Sequence, residues 1–336
     1  MKTKFFRSIF SLLLATLLLC LIAGCGIVNF PPNETTTPTS PSNHPKADLR
    51  IVLSSDIHCT HLSNWYSVGN NTRMQHWVDS ILEEHKKNPI DLLVINGDIS
   101  LDFRLVGGSV INEGKSTSKI FVDNYLSQLP DDLPVFIIPG NHEQYSDSDW
   151  FFMTGNHRSG HMEIDGNLFI FLDTYGGDLN PTTHHNGVYT GVDVDSIKTL
   201  MEEYPNDNVY LIAHHFEIDT ESPEFKKLVK ENDRIIGLFS GHTHDASLIK
   251  LGKGWGNKIL AQTGNFSRYA GDYAESFWGF RELVITNDNA YSQYIIMDSE
   301  AVLEGVTMEF KYAICGQVCY YGTAPALPVN PNQWLK

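Results

Sequence analysis

Leu49-Arg50-Ile51-Val52-Leu53-Ser54-Ser55-Asp56-Ile57-His58 is a short β-rich run that stops abruptly at an acid and a histidine. Four further apolar runs stop in the same way. Leu93-Val94-Ile95 runs into Asn96-Gly97-Asp98, and Ile137-Ile138-Pro139 into Gly140-Asn141-His142-Glu143. Leu211-Ile212-Ala213 runs into His214-His215, and Leu238-Phe239-Ser240 into Gly241-His242-Thr243-His244. Amphipathic segments lie between the runs. Residues 71–87 carry Trp77, Ile81 and Leu82 at helical spacing, and residues 116–129 carry Ile120, Val122, Tyr125, Leu126 and Leu129 as an apolar side. Two more helices are expected over 194–203 and 223–230. Short strands are expected at 91–95, 134–138, 168–172, 209–213 and 235–240. Buried strands alternating with amphipathic helices predict an α/β domain. After Asp245 the pattern becomes strand and turn, with runs at 259–262, 282–285 and 291–297.

In an open α/β sheet, ligands bind at the carboxyl ends of the strands. Five such ends can surround one point. Asp56, Asp98 and Asn141 bring oxygen there; His58, His214, His242 and His244 bring nitrogen. A mixed nitrogen and oxygen set without thiolate suits divalent first-row ions such as Mn, Fe or Zn. If residues 56–58 are extended, Asp56 and His58 point the same way and ligate together. The glycines before Asp98, Asn141 and His242 permit tight turns and close backbone approach. Each cluster alone reads as a turn, a helix cap or a satisfied core histidine. Together, that bland reading requires five strands to end in buried polar groups without partners, which is costly.

These blocks resemble the calcineurin-like metallophosphoesterases, whose pattern is D-x-H, G-D, G-N-H-[DE], H and G-H-x-H. All five occur here in that order, from Asp56 to His244. The resemblance implies two packed mixed β-sheets flanked by helices, a four-layer α/β/β/α sandwich. It implies that Asp56, His58 and His244 hold one divalent ion, that Asn141, His214 and His242 hold a second, and that Asp98 bridges them. Of the adjacent pair, His214 fits the ligand better because it directly follows the strand. His142 is implied to stabilise developing charge and protonate the leaving oxygen. The implied reaction is hydrolysis of a phosphate mono- or diester by a hydroxide that the two ions activate. The family often reads G-D-x-x-D, the second Asp orienting the histidine. Here the run Gly97-Asp98-Ile99-Ser100-Leu101-Asp102 is one residue longer, which leaves Asp102, Glu143 or neither in that role.

The metal motif does not choose the substrate. Loops over the site would do so, and three segments are candidates. Residues 143–161 carry Tyr145, Trp150, Phe151 and Phe152; residues 175–189 carry His184 and His185, read as a surface pair; residues 265–278 carry Tyr269, Tyr273, Phe277 and Trp278.

The 336-residue chain has 40 acidic and 24 basic side chains, a formal net charge of −16. With no basic surplus, no nucleic-acid-binding surface is expected. The start has a different character. Lys2, Lys4 and Arg7 precede an almost wholly apolar run from Ile9 to Ala23, which is about the length of a signal peptide's apolar region and short for a membrane span. The run ends Leu21-Ile22-Ala23-Gly24-Cys25, which resembles the bacterial lipobox. That implies a signal peptide over 1–24, a diacylglyceryl thioether on Cys25, and membrane contact through the lipid anchor only. Losing the leader's three positive charges would take the net charge from −16 to −19. Residues 25–47, rich in Pro, Thr, Asn and Ser, read as a flexible tether to the outer face of the membrane. The metallophosphoesterase domain is expected over 48–300 and a C-terminal extension over 301–336. Cys315 and Cys319 can form a local disulfide outside the cell or stay as two thiols. The alternative to a hydrolase is a surface-tethered lipoprotein that binds metal or another ligand without catalysis. The presence of His142 favours the hydrolase, because binding alone has no use for a proton donor.

Overall fold

A computed structural model describes residues 48–62, 69–106, 109–110, 116–177, 179, 187–267, 278–286, 290–297 and 318–321. All of these lie in the compact unit Lys46–Lys336. Cys25, the expected leader and tether, His184-His185 and Cys315 lie outside the described residues.

The first strands alternate with helices along the chain: β1 (Leu49–Ser54), α1 (Asn70–Lys87), β2 (Leu92–Asn96), the two-residue strands β3 (Leu105–Val106) and β4 (Ser109–Val110), α2 (Thr117–Asn124), β5 (Val135–Ile138) and α3 (Asp147–Thr154). The second half continues with β6 (Gly160–Ile164), β7 (Asn167–Leu172), α4 (Val194–Glu203), β8 (Asn208–Ala213), α5 (Pro223–Glu231), β9 (Ile235–Ser240), β10 (Leu248–Lys250), β11 (Ile259–Gln262), β12 (Gly279–Ile285), β13 (Ala290–Ile296) and β14 (Val318–Tyr321). They form two six-stranded mixed sheets, ordered β14-β13-β12-β1-β2-β5 and β10-β11-β9-β8-β7-β6. The parallel pairs are β1–β2 and β2–β5 in the first sheet. In the second they are β7–β8, β8–β9 and β9–β11.

Strand side chains alternate between faces, and each sheet is apolar on both. Ile51, Leu53, Val94 and Ile138 of the first sheet meet Phe169, Phe171, Tyr210, Ile212 and Phe239 of the second. Phe136 stacks on Phe171 at a centroid distance of 4.0 Å. The opposite face of the first sheet, including Val52, Leu93 and Ile95, packs on Met74, Trp77 and Ile81 of α1 and on Phe121 of α2. That of the second, including Leu168, Leu211 and Leu238, packs on Ile197 of α4 and on Phe225 and Val229 of α5. The result is the four-layer α/β/β/α sandwich. β1, β2 and β5 are parallel to one another in the first sheet, as are β8 and β9 in the second, so within each sheet their carboxyl ends share one edge.

Two sequence expectations change. The helix expected over 116–129 stops at Asn124, and a 3₁₀ turn, Leu126–Gln128, follows. Its inward face is Thr117, Ser118 and Phe121, while Ile120 is 37% exposed. The Asp102 carboxylate accepts the backbone N–H groups of Thr117 and Ser118 at 2.6 and 3.0 Å. This cap sets the helix's rotation, so the apolar count alone misplaces Ile120. The segment 143–161, read as a loop over the site, contains α3. Ser146 caps it by accepting from the Asp149 N–H, and Gly155 closes it in the left-handed region. Trp150 points into the core and donates to the Ile137 carbonyl at 3.3 Å.

Candidate metal centre

Each of the five strand ends leaves its sheet in a tight loop. The segment after β1 is not extended. Asp56 and His58 both have positive φ, 51° and 53°, as do Asp98 (51°), His242 (68°) and His244 (65°). Asp56 and His58 therefore reach the same side because two left-handed residues alternate with an ordinary one, not because of a pleat. Non-glycine residues in this region cost on the order of 1 kcal/mol or more, and they cluster at functional sites. The G-D and D-x-H loops brace one another. Asp56, His58 and Cys59 donate N–H groups to the carbonyls of Gly97, Asp98 and Ile99 at 3.1, 3.0 and 2.7 Å. A Cβ on Gly140 would lie 2.1 Å from Asp98 Oδ1, and one on Gly241 would lie 1.8 Å from Ser55 Oγ. Only glycine lets these loops close.

The structure brings all seven expected ligand side chains and His142 to one place. Asp56 Oδ1 lies 3.3 Å from His244 Nε2 and 3.8 Å from His58 Nε2. His58 Nε2 is in turn 3.6 Å from Asp98 Oδ2. On the other side of Asp98, His214 Nε2 is 3.3 Å from the same Oδ2. Asn141 Oδ1 is 3.0 Å from His214 Nε2 and 2.9 Å from His242 Nδ1. The donors fall into two groups, Asp56-His58-His244 and Asp98-His214-His242, whose ligand atoms lie within 4.8 Å of one another. A third group, His58-Asp98-His142, overlaps both, because His142 Nε2 is 3.6 Å from Asp98 Oδ2. Asp98 Oδ2 is the atom where they join.

The donor set fits cations and little else. Asp56 Oδ1 is buried and accepts no well-formed hydrogen bond. His214 Nε2 and His242 Nδ1 face each other at 3.2 Å across the Asn141 oxygen. Lone pairs that converge on common points are costly unless a positive centre lies between them. The surroundings aim the donors. Ser55 Oγ and the His242 N–H both bond Asp56 Oδ2, turning Oδ1 inward. The Asn96 carbonyl lies 2.7 Å from His214 Nδ1 and takes its N–H, leaving Nε2 for the site.

Burial and charge divide the titrating groups. Burial pushes the Asp56 carboxyl up, but the His244 and His214 charges outweigh it and hold it down at about 2. Asp98 is likewise held well below the usual carboxylate range, burial being overcome by His142 and His214. Burial drives His58 and His242 down to about 3, so their rings are neutral, the ligating form. Burial also lowers His142. His214 moves the other way, to about 9, because Asp98 and Asp56 outweigh its desolvation.

A cavity of about 390 Å³ opens beside these groups. His58, Asp98, Asn141, His142, His242 and His244 form its floor, and Arg104, Tyr175, Tyr189, Glu217 and Thr243 are among its walls. Arg104 Nη1 is 3.5 Å from His142 Nε2. Motif reading missed Arg104, although a basic residue six positions after Asp98 in an acidic chain was a usable signal. Of the candidate substrate segments, 175–189 contributes Tyr175, Gly187 and Tyr189. Tyr145, Trp150, Phe151 and Phe152 do not line the cavity. Phe266 and Trp278 stack in the core at 5.7 Å, while Tyr269, Tyr273 and Phe277 lie outside the described residues. His215 packs against the rings of His242 and Tyr189. Asp102 and Glu143 are buried, not solvated loop carboxylates. Asp102 caps α2 and accepts from the Tyr145 hydroxyl. Glu143 accepts the N–H groups of Asp98, Ser100 and Gly140 at 3.0, 2.9 and 2.8 Å, fastening the G-D loop to the G-N-H-E loop.

Residues 49–246 match the family model of calcineurin-like phosphoesterases, more than half of the chain. The chain is 25% identical over 206 residues to a probable cyclic nucleotide phosphodiesterase of Pseudoalteromonas sp. (strain SM9913), a match covering 60% of this chain and 73% of that protein. Among solved structures, a dimetal phosphatase from Danio rerio superposes with a TM-score of 0.54 at 10% identity, over 73% of this chain and 95% of that one. GAP50, the anchor in the inner membrane complex of Plasmodium, superposes with a TM-score of 0.51 at 13% identity, over 86% and 94%. At these identities the two structures speak to the fold.

Proposed function

The chain belongs to the calcineurin-like phosphoesterase family, and from that premise we propose that this metallophosphoesterase hydrolyses a phosphate mono- or diester at the outer face of the cell membrane, tethered there by a lipid on Cys25. The observation that carries the catalytic reading is the meeting of two donor groups at Asp98 Oδ2, on the floor of a cavity that His142 and Arg104 also line. Asp56, His58 and His244 would hold one divalent ion, and Asn141, His214 and His242 the other, with Asp98 shared. Manganese, iron and zinc all suit such donors. When bound, the ions supply Lewis acidity to the phosphoryl group and acidify water.

The chain's own groups do the rest. Arg104 presents a guanidinium to a phosphoryl oxygen, a geometry that planar forks suit. His142 gives a proton from Nε2 to the leaving oxygen. Tyr175 and Tyr189 form the wall against which the alcohol part of the substrate rests. Similarity to a probable cyclic nucleotide phosphodiesterase supports keeping diesters beside monoesters. The outer-face placement rests on the lipobox-like Leu21–Cys25 run.

A protein beginning at Lys46 and loaded with manganese is expected to hydrolyse p-nitrophenyl phosphate, bis-p-nitrophenyl phosphate or a cyclic nucleotide. Two bound ions with no turnover on that panel would favour the non-catalytic surface-binding alternative. In cells, Cys25→Ser is expected to move the protein from the membrane to the soluble fraction; unchanged membrane association would sink the lipid anchor.

A further inference from the structure

We infer that Arg73, which lies outside the donor set and does not line the cavity, is the positioning residue for the Asp56-His58 half of the site. This role rests on the dimetal reading of that site. Arg73 is completely buried on α1. Its Nη1 donates to the Ile57 carbonyl and its Nη2 to the His58 carbonyl, the latter at 3.0 Å. These carbonyls belong to the segment that places Asp56 and His58 in the left-handed region. The N–H side of that segment is already engaged, with Asp56, His58 and Cys59 donating to the G-D loop. Arg73 satisfies the other side, so the segment is clamped along both edges.

The clamp extends along one face of α1. Asn70 accepts the Thr60 N–H at 2.9 Å, and Trp77 Nε1 donates to Ser54 Oγ at 2.9 Å. Positions 70, 73 and 77 share a helix face. They meet residues 60, 57–58 and 54 in reverse order, so the helix runs alongside the exit from β1 and holds it at three heights. Only the middle contact bears on the ligand-bearing residues. A guanidinium suits it because its donors fork in fixed directions and reach two carbonyls at once, whereas an ammonium is a compact point charge. Without Arg73, two buried carbonyls lose their donors, and the left-handed turn loses what opposes its relaxation. The Asn141-His214-His242 half has its own support in the Asn96 carbonyl on His214, and it touches the clamped segment through the His242 N–H on Asp56 Oδ2. Loss of Arg73 should therefore weaken the ion of the Asp56-His58 half more than the other.

The test is metal content and manganese titration on the full chain, with electron paramagnetic resonance to separate a coupled ion pair from a single ion. The wild-type protein is expected to hold two ions. Arg73→Met should weaken one of them by roughly 10–100-fold, the range for groups that orient metal ligands, and weaken the other by a clearly smaller factor. Arg73→Lys should weaken the same ion by a smaller factor. The resonance of the coupled pair should give way to that of a single ion. Val229→Ala, in the core cluster beneath α5, serves as a destabilised control and should keep both ions. Wild-type affinities at both sites in either folded Arg73 variant overturn the inference, as does equal weakening of both ions or loss of an ion in the control. Should Arg73→Met not fold, Arg73→Lys decides by the same criteria. A wild-type protein that holds fewer than two ions removes the dimetal premise itself, a separate failure visible before any variant is made.

Discussion

Asp98 carries the centre at the scale of single residues. Its Oδ2 lies 3.6 Å from His58 and His142 and 3.3 Å from His214, while Oδ1 accepts the His142 N–H at 3.1 Å. His142 is thus near enough to serve as a ligand, and geometry alone leaves two roles for it. A variant separates them. His142→Ala is expected to retain two ions while kcat falls roughly 10²–10⁴-fold, the usual range for a lost general acid. Metal analysis beside the kinetics checks this, and loss of an ion would make His142 a ligand instead. The identities of the eight polar site residues were legible in the sequence because each stands within a few residues of the end of an apolar run. Their backbone conformation was not. Left-handed φ at five of them arises from loops closing against one another, as Gly140 does on Asp98 and Gly241 on Ser55.

At the scale of elements, most strands and helices follow from periodicity, and the two departures have different causes. Asp102 takes the N–H groups of Thr117 and Ser118 and so rotates α2, a contact across fifteen residues that the local pattern cannot contain. Helix α3 hides in a stretch rich in aromatic and acidic residues, with Trp150 as its one fully buried side chain and Met153 packed beside it against the core. Phe152, two positions on, is 86% exposed. Trp150→Ala is expected to cost about 3–5 kcal/mol of stability, as large-to-small core changes do. Urea denaturation measures it. A change in KM with unchanged stability would return Trp150 to the substrate wall that the sequence first suggested.

The whole molecule couples the centre to the sandwich. Donors come from strand ends of both sheets, so ions that bind only the folded chain should stabilise it globally. At a metal concentration 100-fold above Kd, one site contributes about 2.7 kcal/mol. Chelation is therefore expected to lower Tm in calorimetry, and manganese to restore it. A Tm indifferent to metal would mean that the sheets hold the donors no differently with or without ions.

The sequence by itself determined which side chains stand at the strand ends and the α/β class, because residue type and spacing are local and periodicity of two or of 3.6 is enough to read them. The four-layer arrangement and the lipid expected at Cys25 came from resemblance to known motifs. Tertiary structure alone decided how the five ends meet. The N–H of His242 reaches Asp56 across 186 positions of chain, and no local pattern encodes that distance. It also decided that Asp102 caps a helix, that Glu143 ties two loops together, that Arg73 clamps the turn after β1, and that Arg104 faces the cavity. Each depends on which surfaces pack against each other, and packing follows from burying both faces of two sheets at once.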